Sequence, residues 1–472
     1  MPFDGSNESQ HNQELQSALY GLVDNLSEYL HEYTHVLKTE TRDTSALAEL
    51  YISGVLQTER GKGNIERVLE EVDVAGKGDG YQQVQQFITD SPWDSFELMT
   101  NVACQTSTLY ASQPTYQEQE VGYIIDESAH LKKGRHSVGV ARQYAGVVGK
   151  VDNCQVGVYA SLVWQRRTSL INTRLYLPES WTEDTARCQQ AGIPEAAQKQ
   201  KTKQQLALEM LKADMAAGVR FGWVGGDGLY GHGYELSYAV DDLGLPFLFD
   251  VHCDQRVYLE EPAISVPEKP PGRGRPPTLP RTEAQSTRVD AYQEGLSEAD
   301  WQQVEVRDTT KGVLTLSVHV RQVWVWDEQE SQARMRTLVI SKNSTENKTK
   351  YSLSNLALDQ TPIERFAYMQ AQRYWVERSF QDAKSELGMS DYQVRKWQGW
   401  YHHMALVILA MSFLVRERIR NHDTAPVLSC RDVRVLIIAL LSNDHTLIDK
   451  RLKQMHVRHK QRQRDSQRYF ET

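Results

Sequence analysis

Apolar residues recur at helical spacing through residues 12–110, so the chain opens as a series of helices. Thr44 and Ser45 are placed to cap a helix running to Leu56, and Ser91-Pro92-Trp93-Asp94 starts another with proline in its first turn. Arg60–Asn64 is the loop between two of these helices. Near residue 121 the period changes. Val121–Ile125 reads as a short buried strand ending at Asp126, followed by strands over Ser137–Ala141, Cys154–Trp164 and Asn172–Leu177. Lys201–Ala217 is a helix, with Leu206, Met210, Leu211 and Met215 at helical spacing. Val219–Val224 is a strand running into Gly225-Gly226-Asp227, a helix covers Gly233–Leu243, and Leu245–Val251 is again a strand. This alternation predicts an α/β fold built on a mixed sheet.

The pattern shifts once more after residue 252. Pro267–Pro280 is a proline-rich linker or arm, and Val313–Trp326 and Arg334–Ser341 are long strand patterns expected to pair. Helices resume at Pro362 and continue over Gly399–Arg420 and Ser429–Leu441. The chain therefore divides into 1–115 (helical), 116–252 (α/β), 253–354 (β-rich), 355–425 (helical) and 426–472 (helical with a basic tail). The longest apolar run, Met404–Val415, spans 12 residues, too short to cross a bilayer, and reads as a buried helix.

On the helix through Gln372–Lys384, Arg373, Glu377 and Lys384 fall within about 60° of one another. Met369, Val376, Phe380, Ala383 and Leu387 form an apolar stripe about a quarter turn away. A carboxylate flanked by two cations can hold a divalent metal with a phosphate beside it. The plain alternative is a solvated Arg373/Glu377 pair, worth about 0.3–0.5 kcal/mol. Two upstream carboxylates favour the first reading. Asp126 and Asp227 each stand where an apolar strand gives way to a loop, the position at which ligands collect in open α/β sheets. With Glu377 they make an Asp, Asp, Glu set of hard oxygen ligands. Two Mg²⁺ ions about 3.5–4 Å apart need such a set, and their chemistry is phosphodiester cleavage. Glu127 adjoins Asp126, but neighbours on a strand face opposite ways, so only one can serve a site.

In these residues the chain resembles the DDE transposases of bacterial insertion sequences, in the cut-and-paste branch whose signature is Tyr, Arg, Glu and Lys at fixed spacing. Arg373, Glu377 and Lys384 match that spacing, and the tyrosine position holds Gln370. Ile125–Ser128 through Lys132–Tyr144 is similar to the first-Asp block, Gly225–Gly231 to the second, and Glu377–Gly388 with Tyr392–Trp400 to the Glu block. The resemblance runs from about residue 20 to 440. It implies an RNase H-like catalytic core interrupted by a β-rich insertion. It also implies Asp126, Asp227 and Glu377 as catalytic metal ligands, Mg²⁺ as cofactor with Mn²⁺ as a substitute, and Arg373 and Lys384 as holders of phosphate or displaced strand. The expected partners are double-stranded DNA, as terminal inverted repeats and target, and a second copy of the chain when DNA is bound. The helical N-terminal region and the insertion are the expected binders of element ends.

Lys132, Lys133, Arg135, Arg142 and Lys150 make a basic stretch that is either a solvated hairpin or a phosphate track. Gly272-Arg273-Gly274-Arg275-Pro276 has the core of an arm that enters an A·T minor groove, and Arg273 and Arg275 are its candidate contacts, beside the alternative of a flexible linker. Trp324 and Trp326 share a strand face and are either core or a stacking platform for a flipped base. Adjacent His402 and His403 read as packing residues.

Net charge is −9 with pI near 5.9, which speaks weakly against nucleic acid, but the charge is uneven. Residues 1–30 hold five acids and no Lys or Arg, whereas 451–472 hold seven cations against two acids. Five cysteines, none in a Cys-x-x-Cys pair, suit a reducing cytosol and exclude that zinc motif, and no signal-peptide pattern opens the chain. The expected location is the bacterial cytoplasm, at the nucleoid when bound, with no membrane partner.

Two other readings compete. Gly226-Asp227-Gly228-Leu229-Tyr230-Gly231, with Asp250 downstream, matches a dinucleotide fingerprint and would make an NAD-binding enzyme. The acid inside that glycine run would face a pyrophosphate, and room for metal and DNA backbone is the preferred explanation of the glycines. A non-catalytic DNA-binding protein derived from a transposase is the other reading, and the presence of all three acids argues against it.

Overall fold

The computed structural model describes residues 21–40, 42–58, 64–71, 78–267, 278–309, 312–343 and 348–441, with Gln454, Met455, Val457 and Arg464. The chain forms two compact units: Met1–Tyr116, Glu127–Arg220 and Trp375–Thr472 in one, Gln117–Asp126 and Phe221–Tyr374 in the other.

The first unit opens with helices α1 (Leu22–His31), α2 (Ser45–Gln57), α3 (Ile65–Glu71), α4 (Gly78–Thr89) and α5 (Ser95–Ala111). Helix α2 starts at Ser45, where expected, but its capping and the start of α5 differ from the expected ones. The Thr44 hydroxyl donates to the Leu37 carbonyl at 2.6 Å, so it does not cap α2, and Asp43 takes the Ser45 N–H at 3.0 Å instead. Helix α5 starts after Pro92 because the Asp94 carboxylate accepts the N–H groups of Phe96 and Glu97 and sets the cap there.

Strand β1 (Gly122–Leu131) does not end at Asp126 but runs on through it, and β2 (Ala141–Ala145), β3 (Lys150–Trp164) and β4 (Arg167–Tyr176) follow. Ser137–Val140 is a turn rather than a strand, because Gly139 has φ +71°, outside the β region. Strand β3 pairs with β2 over Lys150–Cys154 and with β4 over Val156–Trp164, both antiparallel, and β1 is its neighbour. Helix α6 (Lys203–Ala216) is closed by a capping box between Thr202 and Gln205.

The core of this unit forms around α10 (Trp397–Arg420), whose residues from Gly399 to Val415 are all buried, the apolar run among them. It packs against α4, α5, β4 and α11 (Cys430–Leu441). A helix apolar all round has to be enclosed on every side. His402 and His403 are part of that packing: the His402 ring nitrogens face the carbonyls of Ile88 and Trp93 at 2.9 and 3.1 Å, and His403 Nδ1 meets the Tyr51 hydroxyl at 2.8 Å.

In the second unit, the first half of β1 pairs parallel with β5 (Trp223–Gly226), and β5 pairs parallel with β6 (Phe247–Val251). A short helical turn α7 (Gly228–Gly231) and helix α8 (Glu235–Asp242) connect β5 to β6. The short strands β7 (Arg256–Val257) and β8 (Thr287–Arg288) pair with each other, and beyond β6 the main sheet becomes antiparallel, in the order β12 (Lys348–Ser354), β11 (Arg334–Asn343), β10 (Gly312–Val325), β9 (Gln302–Thr309). Tyr351 of β12 lies opposite Val251 of β6, so the β-rich stretch extends the α/β sheet of this unit edge to edge. Its apolar face holds Val257, Val323, Val325, Leu338 and Ile340. Helix α9 (Ile363–Glu386) begins in this unit and continues into the first.

The glycines of α7 answer to packing. A Cβ on Gly231 would stand 2.0 Å from the carbonyl oxygen of Asp250, and one on Gly226 2.9 Å from the Cβ of Tyr230. On Gly228 it would meet only the His252 ring, at 3.3 Å. These close approaches account for Gly226 and Gly231 by packing. Gly231→Ala is expected to cost roughly 1–3 kcal/mol and Gly228→Ala much less. Thermal unfolding of the two variants checks this, and equal midpoints would contradict it.

Candidate active site

Register aligns the ends of three strands. Ile125 of β1 lies beside Gly226 of β5, and Gly226 lies beside Phe249 of β6. The next residues along are Asp126, Asp227 and Asp250. Asp126 and Asp250 lie on β1 and β6, and Asp227 stands just past the end of β5. Asp126 is buried, and one Asp227 carboxylate oxygen accepts the Leu229 N–H at 2.9 Å, capping α7. Glu127 takes the opposite face of β1 and pairs with Lys203 at 2.9 Å.

Arg373, on α9, reaches into this row. Its Nε is 3.0 Å from Asp250 Oδ2 and its Nη1 is 4.0 Å from Asp126 Oδ2. The other Asp250 oxygen accepts the Ser352 hydroxyl at 2.7 Å. Ser352 in turn accepts the Gln370 side-chain amide at 2.7 Å, and Gln370 accepts the Ser341 hydroxyl. Gln370, at the tyrosine position of the signature, is thus a buried tie between β11, β12 and α9. Asp250 lies outside the expected metal set, and the sequence offers it only as the acid downstream of the dinucleotide fingerprint. Its position relative to Asp126 and Asp227 depends on strand register, which no local motif displays.

Glu377 follows Arg373 by one turn of α9 and is exposed, and Lys384 is half-buried near its end. Burial first, and then the Lys384 charge, hold His130 well below its ordinary range. The apolar stripe Met369, Val376, Phe380, Ala383 and Leu387 is buried throughout.

The basic stretch does not act as one group. Lys132 turns inward, donating to the Tyr392 carbonyl at 2.8 Å with its ammonium 3.4 Å over that ring, and burial pulls it down to about 8. Lys133, Arg135, Arg142 and Lys150 are exposed on the loops and strand ends around β2. Trp326 lies past the end of β10, buried, with its indole N–H donated to the Glu330 carbonyl at 2.7 Å. Trp324 is half-buried and its backbone bridges to Tyr258. Arg273 and Arg275 lie outside the described residues, as do the loop residues 60–63 and most of the basic tail.

Among the described residues no three His, Cys, Asp or Glu side chains are grouped to hold a metal. The donor chemistry nonetheless fits one. Asp126, Asp227 and Asp250 offer carboxylate oxygens, ligands of the kind Mg²⁺ or Mn²⁺ takes, and the Arg373 guanidinium supplies positive charge to two of them.

The family described as DDE superfamily endonuclease matches residues 29–313, a span that includes Asp126 and Asp227. The chain belongs to that family. In this DDE endonuclease Glu377 lies beyond the matched span. A probable transposase for insertion sequence element IS701 from Microchaete diplosiphon is 25% identical over 318 residues, covering 67% of this chain and 69% of that protein. The cryo-EM structure of a piggyBac transposase synaptic complex with hairpin DNA aligns with 95% of this chain and 85% of its own, at 12% identity and a TM-score of 0.40. No helix among the described residues of the endonuclease is long and apolar enough to cross a membrane. The dinucleotide reading is not favoured: the glycines are accounted for by packing, and Asp250 is engaged by Arg373 and Ser352.

Removing Arg373 leaves the acid row without that cation. Arg373→Ala should lose roughly 1–3 kcal/mol of stability in chelator, and millimolar Mg²⁺ should raise its unfolding midpoint more than that of the parent chain. Calorimetric scans with and without Mg²⁺ measure both. An identical Mg²⁺ response in the two proteins would show that Arg373 does not balance these acids.

Proposed function

We propose that this DDE endonuclease is a transposase that cleaves DNA at the terminal inverted repeats of its own element and joins the 3′-ends to target DNA. The observation that carries the reading is Arg373 beside Asp126 and Asp250, with Asp227 at the end of the adjacent strand β5. Family membership and the similarity to a probable transposase support it.

Asp126, Asp227 and Glu377 are the residues proposed to hold Mg²⁺, with Mn²⁺ as a substitute. When bound, the metals would activate the attacking water or 3′-hydroxyl and stabilise the leaving oxygen. Arg373 and Lys384 would hold the scissile phosphate or the displaced strand. A guanidinium excluded from a metal shell still binds phosphate through two parallel N–H groups. Positioning of this kind counts most in the later steps, when cut ends must be kept in line for attack on a second duplex.

The exposed cations Lys133, Arg135 and Arg142 are proposed contacts to the DNA backbone, and Arg273 and Arg275 to a minor groove. The acidic net charge of the whole chain does not oppose this, because backbone contacts depend on local cations. An RNase H-like core is consistent with the strand order: β4 antiparallel to β3, β3 beside β1, and β5 and β6 parallel to β1. The working form is proposed to be a dimer on DNA, acting at the bacterial nucleoid.

Asp126→Asn, Asp227→Asn and Glu377→Gln should each lower nicking of a labelled terminal repeat by roughly 100-fold or more. Binding of the same duplex should stay within about twofold, because affinity comes mainly from phosphate contacts elsewhere. Gel-resolved cleavage and a binding titration on the same samples decide. Near-parent nicking by any one variant would remove that residue from the site, and loss of binding in all three would mean that the acids serve the fold instead.

A further inference from the structure

The first unit contains a cavity of about 240 Å³ whose lining includes none of the row of acids. Its walls come from the start of α5, β4, the 194–201 loop, α6 and the start of α10. The floor is apolar: Leu175, Leu206 and Tyr401 are buried, and the Tyr401 hydroxyl accepts the Leu175 N–H at 3.0 Å, which fixes the ring. Three aromatic rings meet there. Tyr401 lies 4.7 Å from Phe96 and 4.7 Å from Trp397, centroid to centroid. Trp397 is half-buried, and its indole N–H has no hydrogen-bond partner among the described residues.

The rim is cationic. The Arg174 guanidinium lies 4.8 Å over the Phe96 ring and is held by the side-chain oxygen of Asn172 at 2.7 Å and the Thr173 carbonyl at 2.8 Å. It has no carboxylate partner among the described residues, and neither does exposed Lys199. Lys201 is neutralised by Glu209 at 2.6 Å. The rim therefore keeps two cations in excess.

These features ask for two properties in one ligand, a flat ring and an anion. A purely apolar ligand would leave Arg174 and Lys199 unused, and a bare phosphate would leave the aromatic walls unused. The volume is below the roughly 300 Å³ at which sites for drug-sized molecules begin, so one ring system fits and a dinucleotide does not. Nucleobases stack on such rings whatever their identity, and phosphates pair with Arg and Lys. We infer that this cavity holds one unpaired nucleotide, its base against Trp397 and Tyr401 and its phosphate at Arg174 and Lys199. The inference rests on the reading of the chain as a DNA-acting protein, and assigns it a second contact with DNA, to an unstacked base.

The test uses the full chain and two duplexes of the same sequence, one blunt and one carrying a single unpaired 5-iodouracil. Irradiation should crosslink the unpaired base to the peptide containing Trp397 and Tyr401. The overhang duplex should bind more tightly than the blunt one, and Trp397→Leu and the surface change Lys199→Glu should each weaken it by about tenfold. Trp397→Phe should restore most of the loss, and blunt-duplex affinity should not respond to Trp397→Leu. Competition by millimolar deoxyuridine monophosphate would identify a free nucleotide as an accepted source. Its failure, with the crosslink intact, would confine the site to nucleotides within DNA. Crosslinks mapping elsewhere, or equal binding of both duplexes in every variant, would overturn the cavity assignment while leaving DNA binding in place. Failure to bind either duplex would overturn both.

Discussion

Asp126, Asp227 and Asp250 each follow a paired position on one of three adjacent parallel strands, and carboxylates near one another call for positive charge. Asp126, Asp227 and Asp250 occupy those places because Ile125, Gly226 and Phe249 are in register. The structure meets the demand in two ways. Asp227 spends an oxygen on the Leu229 amide at the start of α7, and Arg373 lends its guanidinium to Asp250 and Asp126. A helix carrying the right cation at the right turn is then a requirement of the sheet.

That requirement accounts for the polar network under α9. Gln370, one turn before Arg373, is buried and tied to Ser341 and Ser352, and Ser352 also donates to Asp250. Buried polar groups are costly unless every one is bonded, so such a chain fixes the helix against the sheet in one position. Arg373 is consequently placed by the residues before it, while Met369, Val376 and Phe380 bury the adjacent stripe. The same cation can balance the acids in the absence of metal and bind phosphate in its presence, which links the stability of the sheet to the proposed chemistry.

Periodicity made much of this visible in advance. The stripe on α9, the enclosed helix α10 and the α/β alternation are all written in the spacing of apolar residues. What the spacing could not show was pairing. Strands β9 and β12 carry too few apolar residues to stand out, and β12 is the strand that joins the β-rich stretch to β6. Asp250 read as a possible cofactor contact because its level relative to Asp126 is set by register across strands more than a hundred residues apart in sequence. Lys132 read as a surface cation, yet it folds onto Tyr392, a residue far along the chain. The fingerprint glycines had a local motif and a different cause, the passage of the Asp250 backbone beside Gly231.

The claim to test is the proposed binding of metal by Asp126, Asp227 and Glu377. Replacing Mg²⁺ by Fe²⁺ and initiating hydroxyl-radical chemistry cuts the backbone close to a bound ion. The account predicts cuts confined to the segments around Asp126, Asp227 and Glu377, suppressed by excess Mg²⁺. Cuts around the first two segments with none near Glu377, or cuts that Mg²⁺ does not suppress, would contradict it.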